Sequence, residues 1–440
     1  MDKSLVAIVR YEKPLESVQK AVALSKGLEA LPRNAKAFVK PNIVFWTKVV
    51  DFPKWGVITT SRVVEDIIVV LKDHGINDIT IGEGTVTFRP KDTETAAHAF
   101  ETLGYNKLKQ RYGVKVINIF QRPFEKVDVG DGITFNFNTD IINSDFVVNL
   151  PVLKTHAQTI VSLGIKNLKG TIDISSRKKS HNANPDTDLN FMVSKLANRM
   201  PPMFTLIDGI YSLERGPAYD GKARRTNVLI GSSDILSADM VGAKVLGYEP
   251  SDIPHLVHAA SSRGRAPDLS DVEIVGEDIE NVASHHKYDF KYTKDGKLPL
   301  PLHRMGIKGL SYPKYDLTMC TYCSGINGVV LYAIASAWKG EPWDDVEVLT
   351  GKAMKPTPGM KKTILLGKCM YQANKDNPDI NEMIPVKGCP PNPDDIVKAL
   401  HKAGIMVDPA IFQNMETAPG LLLARYKDKP EFDSGFFTVA

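Results

Sequence analysis

Short apolar runs recur along the first two-thirds of the chain, each closed by glycine, proline or a charged residue. They include Leu5-Val6-Ala7-Ile8-Val9, Ala37-Phe38-Val39, Ile79-Thr80-Ile81, the stretch 114–120, Phe146-Val147-Val148-Asn149-Leu150, Met203-Phe204-Thr205-Leu206-Ile207, Val228-Leu229-Ile230 and Val272-Glu273-Ile274-Val275. Continuous runs of this kind predict strands covered on both faces. Between them, apolar residues fall at helical spacing over 16–31, 63–74, 94–103 and 188–200. Thr59-Thr60-Ser61 offers caps for the second of these. Ser237-Ala238-Asp239 opens a further helix ending near Gly247, with Asp239 as cap or ion-pair partner. Strand and helix alternate, which predicts an α/β fold: a doubly wound, mostly parallel sheet over 1–282. A stretch rich in His, Lys, Tyr and Pro without periodicity, 283–304, reads as a linker. A smaller α/β domain follows over 305–440. It has an apolar helix at 327–338, strands at Thr363-Ile364-Leu365-Leu366 and Ile384-Pro385-Val386, and a helix over 394–403 begun by Pro390 or Pro391.

The polar residues that close the runs carry the candidate chemistry. Lys40 and Asn42 flank Pro41 at one strand exit, and Glu83 sits in Gly82-Glu83-Gly84-Thr85 at another. Lys154 and His156 follow Pro151, Lys166, Asn167 and Lys169 lie between Gly164 and Gly170, and Asp208 closes a fifth run. In an open parallel sheet such exits gather at one edge, where ligands bind. Lysines interleaved with Leu, Ile and Gly are half-buried and need an anionic partner. Lys40, Asn42, Glu83, Lys166, Asn167 and Lys169 are therefore expected to hold a small carboxylate or phosphate. His156 is the general acid/base by its intrinsic pKa, with Lys154 and Asp208 completing the catalytic set. The basic run Arg177-Lys178-Lys179 reads as a solvated loop. The strand-then-glycine turn at Gly82 lacks the third glycine of a dinucleotide fingerprint.

Composition narrows the classes. With 440 residues, two or three domains are expected. Apolar residues make up 43% and charged residues 24%, the usage of an ordinary globular protein. A net charge of +4 gives no basic stripe for nucleic acid. No apolar run approaches the ~20 residues that span a bilayer, and no signal peptide precedes the first strand. The expectation is a cytoplasmic protein without nucleic-acid or membrane partners, with self-association left open.

All four cysteines lie in the last third: Cys320 and Cys323 as C-x2-C, Cys369 in Leu365-Leu366-Gly367-Lys368-Cys369, and Cys389 in Lys387-Gly388-Cys389-Pro390-Pro391. A short C-x2-C loop turns two thiolates towards one centre, and two more complete a four-thiolate site for zinc or an iron–sulfur cluster. Scattered core thiols are the remaining alternative. The third and fourth cysteines follow strand-like runs, which places them on loops at strand ends. Reduced thiols in a large chain fit a metal in a reducing compartment better than disulfides.

These cysteine motifs resemble the proximal-cluster domain of nickel–iron hydrogenase small subunits and its relative in respiratory complex I. The resemblance covers about 305–405 and implies one [4Fe-4S] cluster, with Cys320, Cys323, Cys369 and Cys389 as its ligands. The spacing from Cys323 to Cys369 is shorter than in a hydrogenase, so an ancillary part is missing. Across 35–275 the ordered motifs K-P-N, G-E-G, N-L-P-V-L-K-T-H, G-I-K-N-L-K-G, I-D-G-I and S-A-D-M-V-G-A-K-V-L-G-Y resemble the family called domain of unknown function 362. Members of that family often carry iron–sulfur sites, and its chemistry is not established. The combined expectation is an iron–sulfur redox enzyme for a small anionic substrate, with electrons from a ferredoxin-like partner. An electron-carrying or scaffold protein without its own substrate, and a non-redox isomerase or ligase-like enzyme with a structural cluster, stand as alternatives.

Overall fold

The computed structural model describes residues 3–86 and 92–439. Contacts divide the chain into two compact units, each assembled from separate segments. The larger holds residues 1–176, 190–289 and 419–440, and the smaller holds 177–189 and 290–418. The basic run from Arg177 thus belongs to the cysteine-bearing unit. The last twenty-two residues return to the first one, where Phe432 and Phe437 stack on Tyr211 and the Tyr426 hydroxyl accepts from Ala223 N at 2.9 Å.

The larger unit is built on a mixed, largely parallel sheet. Its strands are β1 (Ser4–Arg10), β2 (Lys36–Pro41), β3 (Asp78–Glu83), β4 (Lys115–Asn118), then, after a separate hairpin of β5 (Phe124–Gly130) and β6 (Ile133–Asn138), β7 (Phe146–Leu150), β8 (Val152–His156), β9 (Ile160–Val161), β10 (Met203–Glu214), β11 (Lys222–Ser232) and β12 (Val272–Gly276). Their order across the sheet is β12-β1-β11-β10-β7-β2-β3-β4, with β8 beside β10 and β9 beside β8. The pairings from β10 through β7, β2 and β3 to β4 are parallel, while β11 runs antiparallel to both its neighbours. This is the expected α/β architecture, with β11 antiparallel within it and the short β9 antiparallel to β8.

Pro151 separates β7 from β8, and both strands lie along the single long strand β10, whose twelve residues are all buried. Proline cannot donate to a ladder, but its carbonyl accepts from Asp208 N at 2.8 Å, so β8 continues past the break and carries Lys154 and His156 beyond β2. The helix Ser61–Asp73 buries Val63, Val64, Ile67, Ile68 and Leu71 against the sheet and starts at Thr60, whose side chain accepts from Val63 N. The periodic stretches 16–31 and 188–200 form shorter helices than their spacing predicts, Glu16–Leu24 and Leu189–Ser194. The first stops where Lys26 takes a left-handed φ of 51°.

In the smaller unit, β13 (Leu310–Ser311), β14 (Val346–Leu349), β15 (Lys362–Leu366) and β16 (Glu382–Val386) pair in sequence order, all parallel. Its core includes Leu298 and Leu302, so the second half of the expected linker is packed structure. The apolar helix runs over Thr321–Ala337 with Cys320 as its N-cap, and so begins inside the C-x2-C motif. The last helix expected here starts at Pro393 and is begun by neither Pro390 nor Pro391, because Asn392 caps it by accepting from Asp394 N at 2.9 Å.

Candidate functional site

The carboxyl ends of β2, β3 and β8 and the helix Leu163–Asn167 bring most of the expected polar residues of the larger unit into one buried network. Lys40, fully buried at the end of β2, donates to Glu83 Oε2 at 2.7 Å and to Pro41 O at 2.6 Å. Glu83 also accepts from Ile43 N at 2.9 Å and Gly84 N at 2.7 Å. Lys154 donates to Asn42 Oδ1 at 2.6 Å, Val57 O at 2.7 Å and Pro217 O at 3.1 Å. Asn42 Nδ2 donates to Asn167 Oδ1 at 2.9 Å, and Asn167 Nδ2 to Asn149 Oδ1 at 2.8 Å and Lys40 O at 3.3 Å. Burial, followed by the charges of Lys166 and Lys40, holds Lys154 well below the ordinary lysine range, against the opposing pull of Glu83.

This arrangement differs from a ring of cations awaiting an anion. Lys40 already has an acid from the neighbouring strand, and the three donors of Lys154 are spent on neutral oxygens of the protein. Gly170 packs its backbone onto the ion pair: a Cβ there would lie 2.7 Å from both Glu83 Oε1 and Lys40 Nζ. The glycines of this segment therefore serve close packing inside the protein.

Lys166 and His156 form a second group. Lys166 Nζ lies 3.0 Å from His156 Nε2, and His156 Nδ1 accepts from Gln158 N at 3.1 Å. His156 is buried, while the Lys166 residue keeps some solvent exposure although its amine is packed round by protein. That burial lowers the amine to about 7. Lys169 is buried on the same segment. Asp208 works elsewhere in the fold. Its carboxylate accepts from Thr60 N at 2.7 Å and Ile210 N at 3.1 Å, which fastens the loop entering the helix Ser61–Asp73. Burial pushes its pKa up. The catalytic expectation for Asp208 thus meets a carboxylate committed to the backbone.

Three residues outside the expected site belong to this region. Asn149 links Asn167 to the sheet and donates to Gly164 O at 3.2 Å; a polar residue inside an apolar strand was its signal. Asp239, placed within the helix Ile235–Val245, accepts from Gly164 N and Ile165 N. His255 is fully buried, and both its ring nitrogens lack a hydrogen-bond partner among the described residues. Nothing in Ile253-Pro254-His255-Leu256 sets that histidine apart.

In the smaller unit the four cysteines approach from three elements. Cys320 and Cys323 open the helix Thr321–Ala337, Cys369 lies in the helix Lys368–Asn374 after β15, and Cys389 follows β16. Cys320 accepts from the Cys323 thiol and from Cys323 and Tyr322 N–H groups, which lowers its pKa, while Cys323 is raised by that bond, by burial and by the nearby Cys369 and Cys389. Cys369 sits in a helix and not on the loop expected for it; a Cβ on the Gly367 before that helix would lie 3.5 Å from Cys323 Sγ and 3.9 Å from Gly388 O, so this turn borders both Cys323 and the loop bearing Cys389. Cys320 is buried, Cys323 half-buried, and Cys369 and Cys389 exposed. Lys352 and Lys178 stand near Cys369. The run Arg177-Lys178-Lys179 is not the solvated loop its charge predicts: Arg177 is buried, Lys178 Nζ lies 5.1 Å from the centre of the Tyr322 ring, and only Lys179 is exposed. Among the described residues no three His, Cys, Asp or Glu side chains are drawn together as around a single metal ion.

Fold and site define an α/β protein with a buried lysine–asparagine–glutamate network in one unit and four cysteines on three elements of the other. Residues 38–244 match the family described as Domain of unknown function (DUF362). The thylakoid-associated protein sll1697 of Synechocystis is 28% identical over 156 residues, 35% of this chain and 48% of that protein, so the chain spans about half the length of the curated relative it matches. The lactate racemase apoprotein of Thermoanaerobacterium thermosaccharolyticum aligns with the whole chain and 87% of its own, at 13% identity and a TM-score of 0.36. No helix among the described residues is long and apolar enough to cross a membrane.

Proposed function

We propose that this chain is an iron–sulfur protein in which Cys320, Cys323, Cys369 and Cys389 hold one [4Fe-4S] cluster. Its larger unit acts on a small carboxylate or phosphate in a redox reaction supplied by a ferredoxin-like donor. The observation that carries the reading is the mutual approach of four thiols, from three separate elements, in a chain with no other cysteine. Four thiolates also bring negative charge, which the Lys352 and Lys178 cations and the helix start at Cys320 offset. The resemblance of the cysteine motifs to the hydrogenase and complex I cluster domains points the same way. With four protein ligands the cluster would supply electron transfer and leave no iron position open for substrate. On the substrate side, His156 and Lys166 are the groups offered for contact, above a platform of Lys40, Asn42, Glu83, Lys154 and Asn167.

Protein purified without air is expected to be brown, with about four irons per chain. Stoichiometric zinc in a colourless protein overturns the cluster. The internal commitment of Lys40 and Lys154 favours a second reading, an electron carrier without its own substrate. A carrier keeps its rate of electron transfer from an artificial donor after His156→Gln and binds no carboxylate or phosphate; the enzyme reading requires anion binding that weakens in this variant.

A further inference from the structure

Two hydrogen bonds of His156 bear on the charge state of Lys166. A neutral imidazole carries one N–H and one lone pair. Its Nδ1 accepts from Gln158 N, so the ring proton sits on Nε2, and Nε2 donates across the 3.0 Å contact to Lys166 Nζ. An ammonium has no lone pair to receive that bond. The alternatives fail on geometry: an imidazolium, or a ring protonated at Nδ1, would point an N–H at the N–H of Gln158. The arrangement therefore holds Lys166 as a neutral amine, with a proton-bearing imidazole nitrogen within hydrogen-bond reach and that ring oriented by the Gln158 N–H. A neutral lysine amine beside a proton carrier is poised as a nucleophile.

We propose that Lys166 is a nucleophilic amine that condenses with a small aldehyde or ketone to form an imine, with His156 as its proton partner. The Nζ lone pair adds to the carbonyl carbon and the C=O π pair moves to oxygen. His156 Nε2–H gives its proton to that oxygen and recovers one from the nitrogen. The carbinolamine then loses one water to give C=Nζ, with no electrons exchanged. The surroundings keep the amine ready. Asp239 holds the first turn of the helix Leu163–Asn167 through Gly164 N and Ile165 N, which sets Lys166 in place. The Lys166 charge lowers the proton affinity of Lys154, and burial lowers that of Lys166 itself. His255, lowered to about 3 by burial and then by Lys166, stays uncharged beside them. Among the described residues its two ring nitrogens have no hydrogen-bond partner, which leaves hydrogen-bonding capacity near the amine. A 2-oxo acid meets the amine with its carbonyl and the proposed anion site with its carboxylate. That choice of carbonyl rests on the proposed function, and the nucleophile does not.

The test is reductive trapping of the full chain, prepared without air, with cyanoborohydride and either glyoxylate or butanal at pH 8, followed by peptide mapping. At that pH an amine titrating near 7 is about nine-tenths neutral, and an ordinary lysine less than about one per cent. Lys166 is expected to carry the dominant adduct, which Lys166→Arg abolishes at unchanged iron content. Trapping by butanal but not glyoxylate keeps the nucleophile and removes the anion reading. Adducts spread over exposed lysines, with Lys166 unmodified, overturn the proposal. A second measurement stands whether or not that variant folds: competitive acylation of wild type as a function of pH. A wild-type Lys166 midpoint near 7, as burial sets it, supports the neutral amine. A wild-type midpoint near 10 overturns it.

Discussion

The Asp239 carboxylate receives two N–H groups from the first turn of the helix that carries Lys166, Gly164 N at 2.6 Å and Ile165 N at 2.8 Å, from 75 and 74 residues away in the chain. Burial pushes Asp239 up to about 7, against about 3.9 in an unfolded chain. Between those values the folded state holds a proton that the unfolded state has lost. The contribution is therefore full below about pH 4 and is lost as pH rises through 7. Asp239→Asn is expected to remove this slope: the wild-type urea midpoint falls relative to the variant's between pH 5 and 7.5. Asp239→Ala strands two N–H groups at about 1–3 kcal/mol each, read by the same denaturation.

Lys40 and Glu83 form an ion pair with side chains 0% and 3% exposed. Removing one partner of such a pair leaves a buried charge and costs about 3–5 kcal/mol. Lys40→Met and Glu83→Gln are each expected to destabilise the larger unit by that order, and the double variant by far less than their sum. A double-mutant cycle that adds up would show that the pair is not coupled.

Gly170→Ala places a methyl group 2.7 Å from both members of the same pair. Overpacking of this kind costs about 1–3 kcal/mol. The melting temperature is expected to drop, with iron content unchanged, because the cysteines lie in the other unit.

In the smaller unit, Lys352 Nζ donates to Lys178 O at 2.9 Å and to His181 O. Lys352→Met is expected to loosen residues 177–189, seen as faster amide exchange there. It also removes a positive charge near the thiols. The reduction potential of the proposed cluster is then expected to move to more negative values, which voltammetry of anaerobic protein reads directly.

Cys320→Ser and Cys389→Ser are expected to lack the iron and visible absorbance proposed for the wild type. They are also expected to lower the stability of the smaller unit, since metal binding is coupled to folding. Retention of full iron in both variants would remove these residues from the ligand set.

The apolar runs and their breaks were legible because burial on both faces of a parallel strand leaves a continuous trace in the chain. They located β1, β2, β3, β7 and β10, and with them the exits that carry Lys40, Glu83, Lys154 and His156. The hairpin of β5 and β6 was missed, as its alternating pattern lies outside the main sheet. The C-x2-C motif is visible as spacing, but the helix that starts at Cys320 and the return of residues 419–440 to the first unit are not. What no spacing contains is the partner of each buried charge. Glu83 is 43 residues from Lys40, and Asn42 is 112 from Lys154. Sequence by itself determined that these lysines are buried and polar neighbours must exist. Whether those neighbours come from outside as a ligand or from an adjacent strand was decided only by the pairing of β2 with β3 and the loop after β2. A hydrogen bond acts over about 3 Å, and such proximity between distant residues exists only once the sheet has formed.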